Sequence, residues 1–288
     1  MKRCITNTMA IVGMMFLLAL KSPTAIADPI PDPVLYFNPV ETDQVKEDTV
    51  WRNAGTAGGE VEKAGVTPVL EEGLIEIKQL RFKHEAKWYT PKRSFSVFTN
   101  GARHAKTPVV NLEDFTMGLL MKINGAFFAQ EHHLVAMQAQ PREQVQDIRI
   151  WLDTSGNGDF ARIIIARRDL DLVDDWGTGI HKIQIGEKQW HWVHLVFESG
   201  DSMTFYVDGE KVAKNGAGAK WTKEHDMVLH GIFAHSFGEA IRTCNCSIAI
   251  YRVYDRALTQ AEIAQNVRGS YAVDSADKLA TTWGKVKR

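Results

Sequence analysis

The carboxylates are the residues best placed to do chemistry in this 288-residue chain. Asp169 and Asp171 lie two apart in Asp169-Leu170-Asp171-Leu172-Val173-Asp174, so they share one face of an extended strand, and a bulge would bring Asp174 round to join them. Three like charges held together would raise at least one pKa, as acid catalysis needs, or would hold a calcium ion. The plainer reading is a solvated edge strand running into an Asp174-Asp175-Trp176-Gly177 turn. A second set, Asp153, Ser155, Asn157 and Asp159, alternates with Gly156 and Gly158 like the start of an oxygen-rich calcium loop. Ile164 stands where that loop would carry its bidentate Glu, and hairpin turns favour the same residues for backbone reasons. The candidate calcium ligands are therefore Asp153, Asn157, Asp159, Asp169 and Asp171.

Histidines and aromatic rings come next. His132, His133, His191, His194, His225, His230 and His235 include no pair at the i, i+4 spacing of a helical zinc site. His191 and His194 fall on opposite faces of one strand. Trp88, Tyr89, Trp176, His181 and Trp221 lie near predicted turns, where a ring can stack on a sugar and a polar group can fix its hydroxyls. Burial in a core is the competing reading for each of them. No Gly-x-Ser-x-Gly elbow, phosphate-binding loop or dinucleotide fingerprint occurs in the sequence. Cys244-Asn245-Cys246 is read as two ordinary strand cysteines or a strained link, because i and i+2 on a strand stand at the edge of bridging geometry and two thiols do not close a zinc site.

Strands must position these groups. Val34 to Phe37 reads as a first strand and Glu41 to Gly65 as polar loop. Phe115, Met117, Leu119, Met121 and Ile123 alternate strictly into Asn124-Gly125. Ile148 to Leu152 and Phe160 to Ala166 form a hairpin in outline. Trp190 to Phe197 is a strand. Met203 to Val207 runs through Asp208-Gly209 into Glu210 to Ala213, and Ile248 to Tyr254 is a last long strand. One helix follows, capped by Thr259 with Glu262 completing a capping box, Leu258 and Ile263 forming a hydrophobic staple and Arg268-Gly269 ending it. Leu279, Trp283 and Val286 could line a small terminal helix. Many short strands without strand–helix alternation predict one all-β domain, a two-sheet antiparallel jelly-roll sandwich with a short C-terminal helix.

Lys2 and Arg3, the apolar run Met9 to Leu20 and Ala25-Ile26-Ala27 have the order of a secretory signal over residues 1–27, with a membrane anchor as the alternative. A Pro-rich leader then spans 28–33, the domain 34–269 and a tail 270–288. Removing the three basic residues of 1–27 leaves 31 Lys+Arg against 35 Asp+Glu, a net charge of −4 that offers no field for nucleic acid. The mature protein is expected to be exported and free of the membrane. A 44% hydrophobic content supports a folded core.

Trp190-His191-Trp192-Val193-His194-Leu195-Val196-Phe197, followed by Met203-Thr204-Phe205-Tyr206-Val207-Asp208-Gly209-Glu210, resembles the paired strands of the concanavalin A-like, laminin G-type family. Ser247 to Tyr254, continued by Asp255-Arg256-Ala257-Leu258-Thr259 and the capped helix, resembles its last strand and helix, and Asp114-Phe115-Thr116-Met117 its Asp-Phe-Thr strand. Leu120 replaces an aromatic usual there, and Asn53 to Gly59 matches the family's Gly-rich loop only loosely. The resemblance implies a jelly roll, a scaffold used by lectins, adhesion modules, calcium-dependent binders, glucanases and lyases. Its glucanases carry Glu-x-Asp-x-x-Glu, whereas here Glu41-Thr42-Asp43 is followed by Lys46 at the third position. The expectation is a non-catalytic module that binds an extracellular glycan or protein surface, with a calcium ion ordering a loop. A polysaccharide-cleaving hydrolase or lyase and a structural or adhesion protein are the alternatives.

Overall fold

A computed structural model describes residues 30–39, 45–46, 50–62, 68–78, 80–91, 108–124, 131–139, 146–153, 160–167, 172–176, 188–216, 220–232 and 246–269. These form seventeen strands and one helix: β1 Leu35–Phe37, β2 Val45–Lys46, β3 Val50–Arg52, β4 Glu60–Glu62, β5 Pro68–Ile77, β6 Phe82–Pro91, β7 Val109–Val110, β8 Phe115–Ile123, β9 Glu131–Ala139, β10 Gln146–Asp153, β11 Phe160–Arg167, β12 Leu172–Trp176, β13 Trp190–Glu198, β14 Ser202–Val207, β15 Glu210–Gly216, β16 Met227–Ile232, β17 Cys246–Tyr254 and α1 Gln260–Gly269. The main sheet runs β15-β14-β13-β8-β17-β6-β5, with β1 also on β17. The second runs β12-β11-β10-β9-β16-β7, and β2-β3-β4 make a third, small sheet. The fold is the antiparallel jelly-roll sandwich that the alternation predicts.

The core is built by period-two alternation. Phe115, Met117, Leu119, Met121 and Ile123 of β8 join Val193, Leu195, Phe197, Met203 and Phe205 against Met137, Met227, Leu229 and Ile232 of the second sheet. The residues between them are not in water either. Leu120, Trp190, Trp192 and Ile250, on the other face of the main sheet, pack with Ile75, Ile77 and Ala86 of the β5–β6 hairpin and with Val267 of α1. Val196, Tyr206 and Tyr254 pack under Leu258, Ile263 and Ile30. Leu120, where the family expects an aromatic, therefore fills this outer layer rather than the space between the sheets.

The Val207–Glu210 turn has positive φ at both central residues, 52° at Asp208 and 85° at Gly209, the geometry that suits a two-residue hairpin. At α1 the capping box forms as expected, Thr259 N–H donating to Glu262 Oε2 at 2.8 Å and Glu262 N–H to Thr259 Oγ1 at 3.3 Å. Both staple residues are buried together.

Two expectations change. Glu41 to Gly65 is not all loop, since β2, β3 and β4 pair within it and bury Trp51 and Val61. Asp174 to Trp176 is strand rather than turn, pairing with β11 through Asp174↔Ile165 and Trp176↔Ile163. Of the two readings of the cysteines, Cys246 fits the link: it is buried and disulfide-bonded, and Cys244 lies outside the described residues. The terminal helix expected around Leu279 lies outside the described residues.

Candidate functional site

Five short pieces of chain, distant in sequence, build one groove. One wall, Thr56-Ala57, belongs to a loop held by Asn53, which is 4% exposed and ties the Asn53–Gly59 loop to β1. Asn53 Oδ1 accepts from Tyr36 N–H at 2.7 Å and Gly55 N–H at 2.9 Å. Its Nδ2 donates to Gly58 O at 2.7 Å and Val34 O at 3.2 Å. Thr56 N–H and Ala57 N–H then donate to Pro33 O and Val34 O. A side chain at Gly55 would collide with the Val34 carbonyl, and Gly58 and Gly59 have φ of 62° and 85°, so the loop needs its glycines for backbone reasons.

Across from this loop stands β7, the edge strand of the second sheet. Val110 is buried, while Val109 is 44% exposed. Asn111 follows, both of its Nδ2 bonds spent on Asp226 Oδ1 at 2.8 Å and His225 O at 3.2 Å, so what it has left to offer a ligand is its Oδ1 acceptor. Lys223 and Asp255 close the far side as an ion pair 3.8 Å apart with both side chains about half exposed. The groove between these walls, lined also by Val34, Thr56 and Ala57, holds about 330 Å3 and opens to solvent. Chemically it offers valine and alanine surface beside a hydroxyl, an amide oxygen, a carboxylate and an ammonium. That combination suits a ligand with one apolar face and several hydroxyls or amides.

The sequence reading missed this groove, and the residues it favoured lie elsewhere. Trp88, Tyr89 and Trp221 are corrected from exposed stacking rings to core. Trp88 is 6% exposed, donates Nε1–H to Glu71 Oε2 at 3.0 Å and stands edge-on to Trp190 at 5.3 Å. Tyr89 packs on Trp51 at 5.3 Å, and Trp221 lies 5.3 Å from Phe115 and 5.5 Å from Phe197. Trp176 ends β12 and Asp153 ends β10, but their side chains lie outside what is described. His181, Asn157, Asp159, Asp169 and Asp171 fall outside the described residues altogether. Asp153 pairs with Phe160 in register, so residues 154–159 do join the two strands of one hairpin. Among the described residues no three His, Cys, Asp or Glu side chains gather as a metal site would require.

Two histidines act as framework. His191 Nδ1 lies 2.9 Å from Asp208 Oδ2, and Asp208 Oδ1 accepts Trp192 N–H at 2.9 Å, so one buried carboxylate fastens the β14–β15 turn to β13. His194 is stacked 5.1 Å from Trp192, and burial, reinforced by nearby Arg252, pushes its pKa down to about 3. Its imidazole is neutral and has no access to a ligand. Lys122 is the one lysine bracketed by two indoles, 5.1 Å from Trp88 and 5.2 Å from Trp190, among the described residues. Desolvation there lowers its pKa, with Glu71 pulling it back up.

Residues 99–264 match a laminin G-type family model described as the concanavalin A-like lectin/glucanases superfamily. No curated protein matches the chain significantly. Among solved structures, the binding domain of botulinum neurotoxin serotype D/C superposes with a TM-score of 0.43 at 11% identity, over 82% of this chain and 51% of that one. The binding domain of Paraclostridial Mosquitocidal Protein 1 does so with 0.45 at 12%, over 82% and 52%. The binding domain of botulinum neurotoxin DC in complex with rat synaptotagmin II gives 0.45 at 12%, over 82% and 51%. The chain thus spans about half the length of these domains.

Proposed function

Because this chain belongs to the concanavalin A-like lectin/glucanase superfamily, we propose that it works as an exported, non-catalytic binding module for extracellular carbohydrate or a protein surface. The observation that carries this reading is the groove between Val109 and the Thr56-Ala57 loop. Its acid, Asp255, faces the ammonium of Lys223 instead of a second carboxylate placed for proton transfer. The same groove joins apolar surface to hydrogen-bonding groups fixed on rigid elements, as recognition of a polyol or peptide needs. Export follows from the signal-like residues 1–27, and the module would act from Asp28 onward. A calcium ion at the 154–159 hairpin would belong to this reading as a loop-ordering group, with Asp153, Asn157 and Asp159 as its oxygen donors.

The test is to present the chain from Asp28 to immobilised glycans and extracellular-matrix proteins, and separately to incubate it with the polysaccharides that bind. Saturable binding with no new reducing ends and no unsaturated products supports the proposal. Release of either product would make the protein an enzyme and overturn it.

A further inference from the structure

We infer that the tip of the β5–β6 hairpin docks the domain on an anionic lipid bilayer, a peripheral contact that shares no residue with the groove. Charge along the hairpin carries the argument. From Ile77 to His84 the chain has Lys78, Arg81 and Lys83 and no acid, whereas the acids Glu71, Glu72, Glu76 and Glu85 all lie behind the tip. Glu72 and Glu76 are matched across the strands, to Lys87 at 2.9 Å and to Lys83 at 3.6 Å. Among the described residues, Lys78 and Arg81 have no acid within ion-pair distance. The hairpin is therefore basic at its end, although it holds as many acids as lysines and arginines. Lys78, Leu80, Arg81 and Lys83 are all exposed. Leu80, 37% exposed between the two unmatched bases, decides which anionic partner fits. An apolar side chain gains little from a sulfated or carboxylated polysaccharide. It gains by entering the headgroup region of a bilayer while the bases hold the phosphates. Arg81 adds a second observation. It takes a φ of 49°, which a glycine would adopt without steric cost, and its N–H closes the turn on Lys78 O at 3.1 Å. The turn thus accepts backbone strain to keep a guanidinium next to Lys78. The contact is reversible, each base strengthening it about five-fold.

Co-sedimentation with lipid vesicles tests this, using the chain from Asp28 so that the apolar run Met9 to Leu20 does not itself bind lipid. Vesicles of phosphatidylcholine with phosphatidylglycerol should bind the protein, and vesicles of phosphatidylcholine alone should not. Binding should fall as salt rises from about 0.1 M to about 1 M, where the screening length shrinks from about 10 Å to about 3 Å. Lys78→Gln and Arg81→Gly should each lower the partition about five-fold. Arg81→Gly should do so with no loss of melting temperature, because it relieves the turn. Leu80→Ser should weaken binding by about the same factor, the share of an apolar side chain taken out of water. Lys211→Gln with Lys214→Gln, two exposed bases on β15, should leave binding unchanged. Absence of binding to the anionic vesicles overturns the inference, as does binding indifferent to the tip substitutions or equally weakened by the β15 pair. Tighter binding to a heparin oligosaccharide than to the vesicles, untouched by Leu80→Ser, would make the tip a polysaccharide site and overturn the bilayer assignment. The groove and its proposed ligands stand in each of these cases.

Discussion

His194 fills the space that a side chain at Gly118 would occupy: a Cβ on Gly118 would stand 2.7 Å from His194 Cδ2 and 2.9 Å from Nε2. The two are register partners on β13 and β8, and Arg252 of β17 is the partner of Gly118 on its other side. The glycine is therefore the gap that lets a ring and a guanidinium lie on the two strands that flank β8, on one face. Arg252 in turn lies 4.7 Å over the Tyr36 ring and 5.8 Å from the Trp192 ring. Gly118→Ala should destabilise the domain by about 1–3 kcal/mol, because the ring can yield only by pressing into a filled layer. Urea unfolding of the two proteins gives the number, and an unchanged midpoint would refute the packing argument.

His194 also sets part of the acid response. Its folded pKa is lowered from 6.5 to about 3, so between those values the unfolded chain takes up a proton that the folded chain refuses. Stability from this group is complete above the unfolded value and is lost as pH falls through that window. Replacing His194 by Leu should flatten the loss between pH 6.5 and 3, whatever the substitution does to stability at neutral pH. Unfolding midpoints along a pH series for both proteins decide it.

The helix cap makes a second acid-sensitive element. Glu262 has its pKa lowered from 4.5 to about 2, chiefly by the hydrogen bond from Arg256 at 2.7 Å and then by those from Thr259. A depressed carboxylate stabilises above its unfolded pKa, and that contribution disappears as pH drops from 4.5 towards 2. Thr259→Ala should cost about 1 kcal/mol at pH 7, since it removes the cap hydroxyl. For a domain of this size the melting temperature should fall by roughly 2–4 °C. A Thr259→Ala protein as stable as the parent at pH 7 would show the cap to be idle.

The elements legible in the sequence were those whose signals are local. β8, β13, β14 and β17 show as alternation, the Asp208-Gly209 turn as its dipeptide, and α1 as its cap and staple. β5 and β6 escaped because Glu71-Glu72-Gly73 breaks the alternation and no glycine or asparagine marks their turn. There Arg81 takes the left-handed conformation at φ 49° and bonds back to Lys78 O. β2, β3 and β4 escaped because strands of two or three residues leave no period to read. The groove was illegible for a different reason. Val34, Thr56, Val109, Asn111, Lys223 and Asp255 are ordinary residues singly, and only the arrangement of β1, β7 and β17 brings them together. Large rings near turns read as exposed stacking surfaces instead, although a tryptophan gains most from burial, which both Trp88 and Trp221 achieve.

The Thr56-Ala57 wall of the groove depends on one amide. Asn53 makes two acceptor and two donor bonds, so Asn53→Ala removes the side-chain partner of Tyr36 N–H, Gly55 N–H and Gly58 O, while Val34 O keeps its bond from Ala57 N–H. The substitution should cost about 2–3 kcal/mol. Asn53→Asp is the sharper test: it keeps both acceptor bonds but turns a carboxylate oxygen towards the carbonyls of Val34 and Gly58. It should be destabilised like the alanine variant, despite being nearly the same shape. An aspartate variant as stable as the parent would mean that the Nδ2 bonds do not hold the loop.

Calcium is decided by mass action. An ion that binds the folded chain and not the unfolded one raises the midpoint by an amount set by its concentration relative to its dissociation constant, about 2.7 kcal/mol at one hundred-fold excess. If the 154–159 hairpin binds calcium, millimolar calcium should raise the melting temperature of the chain from Asp28, and EDTA should reverse it. Asp153→Asn with Asp159→Asn should abolish the shift, while Asp169→Asn with Asp171→Asn should preserve it. The opposite pattern would move the ion to Asp169 and Asp171, between β11 and β12 in sequence. No shift at all would leave Asp153 to Asp159 as turn chemistry alone. The groove would then have to hold its ligand without a metal, which its own amide, carboxylate and ammonium groups are equipped to do.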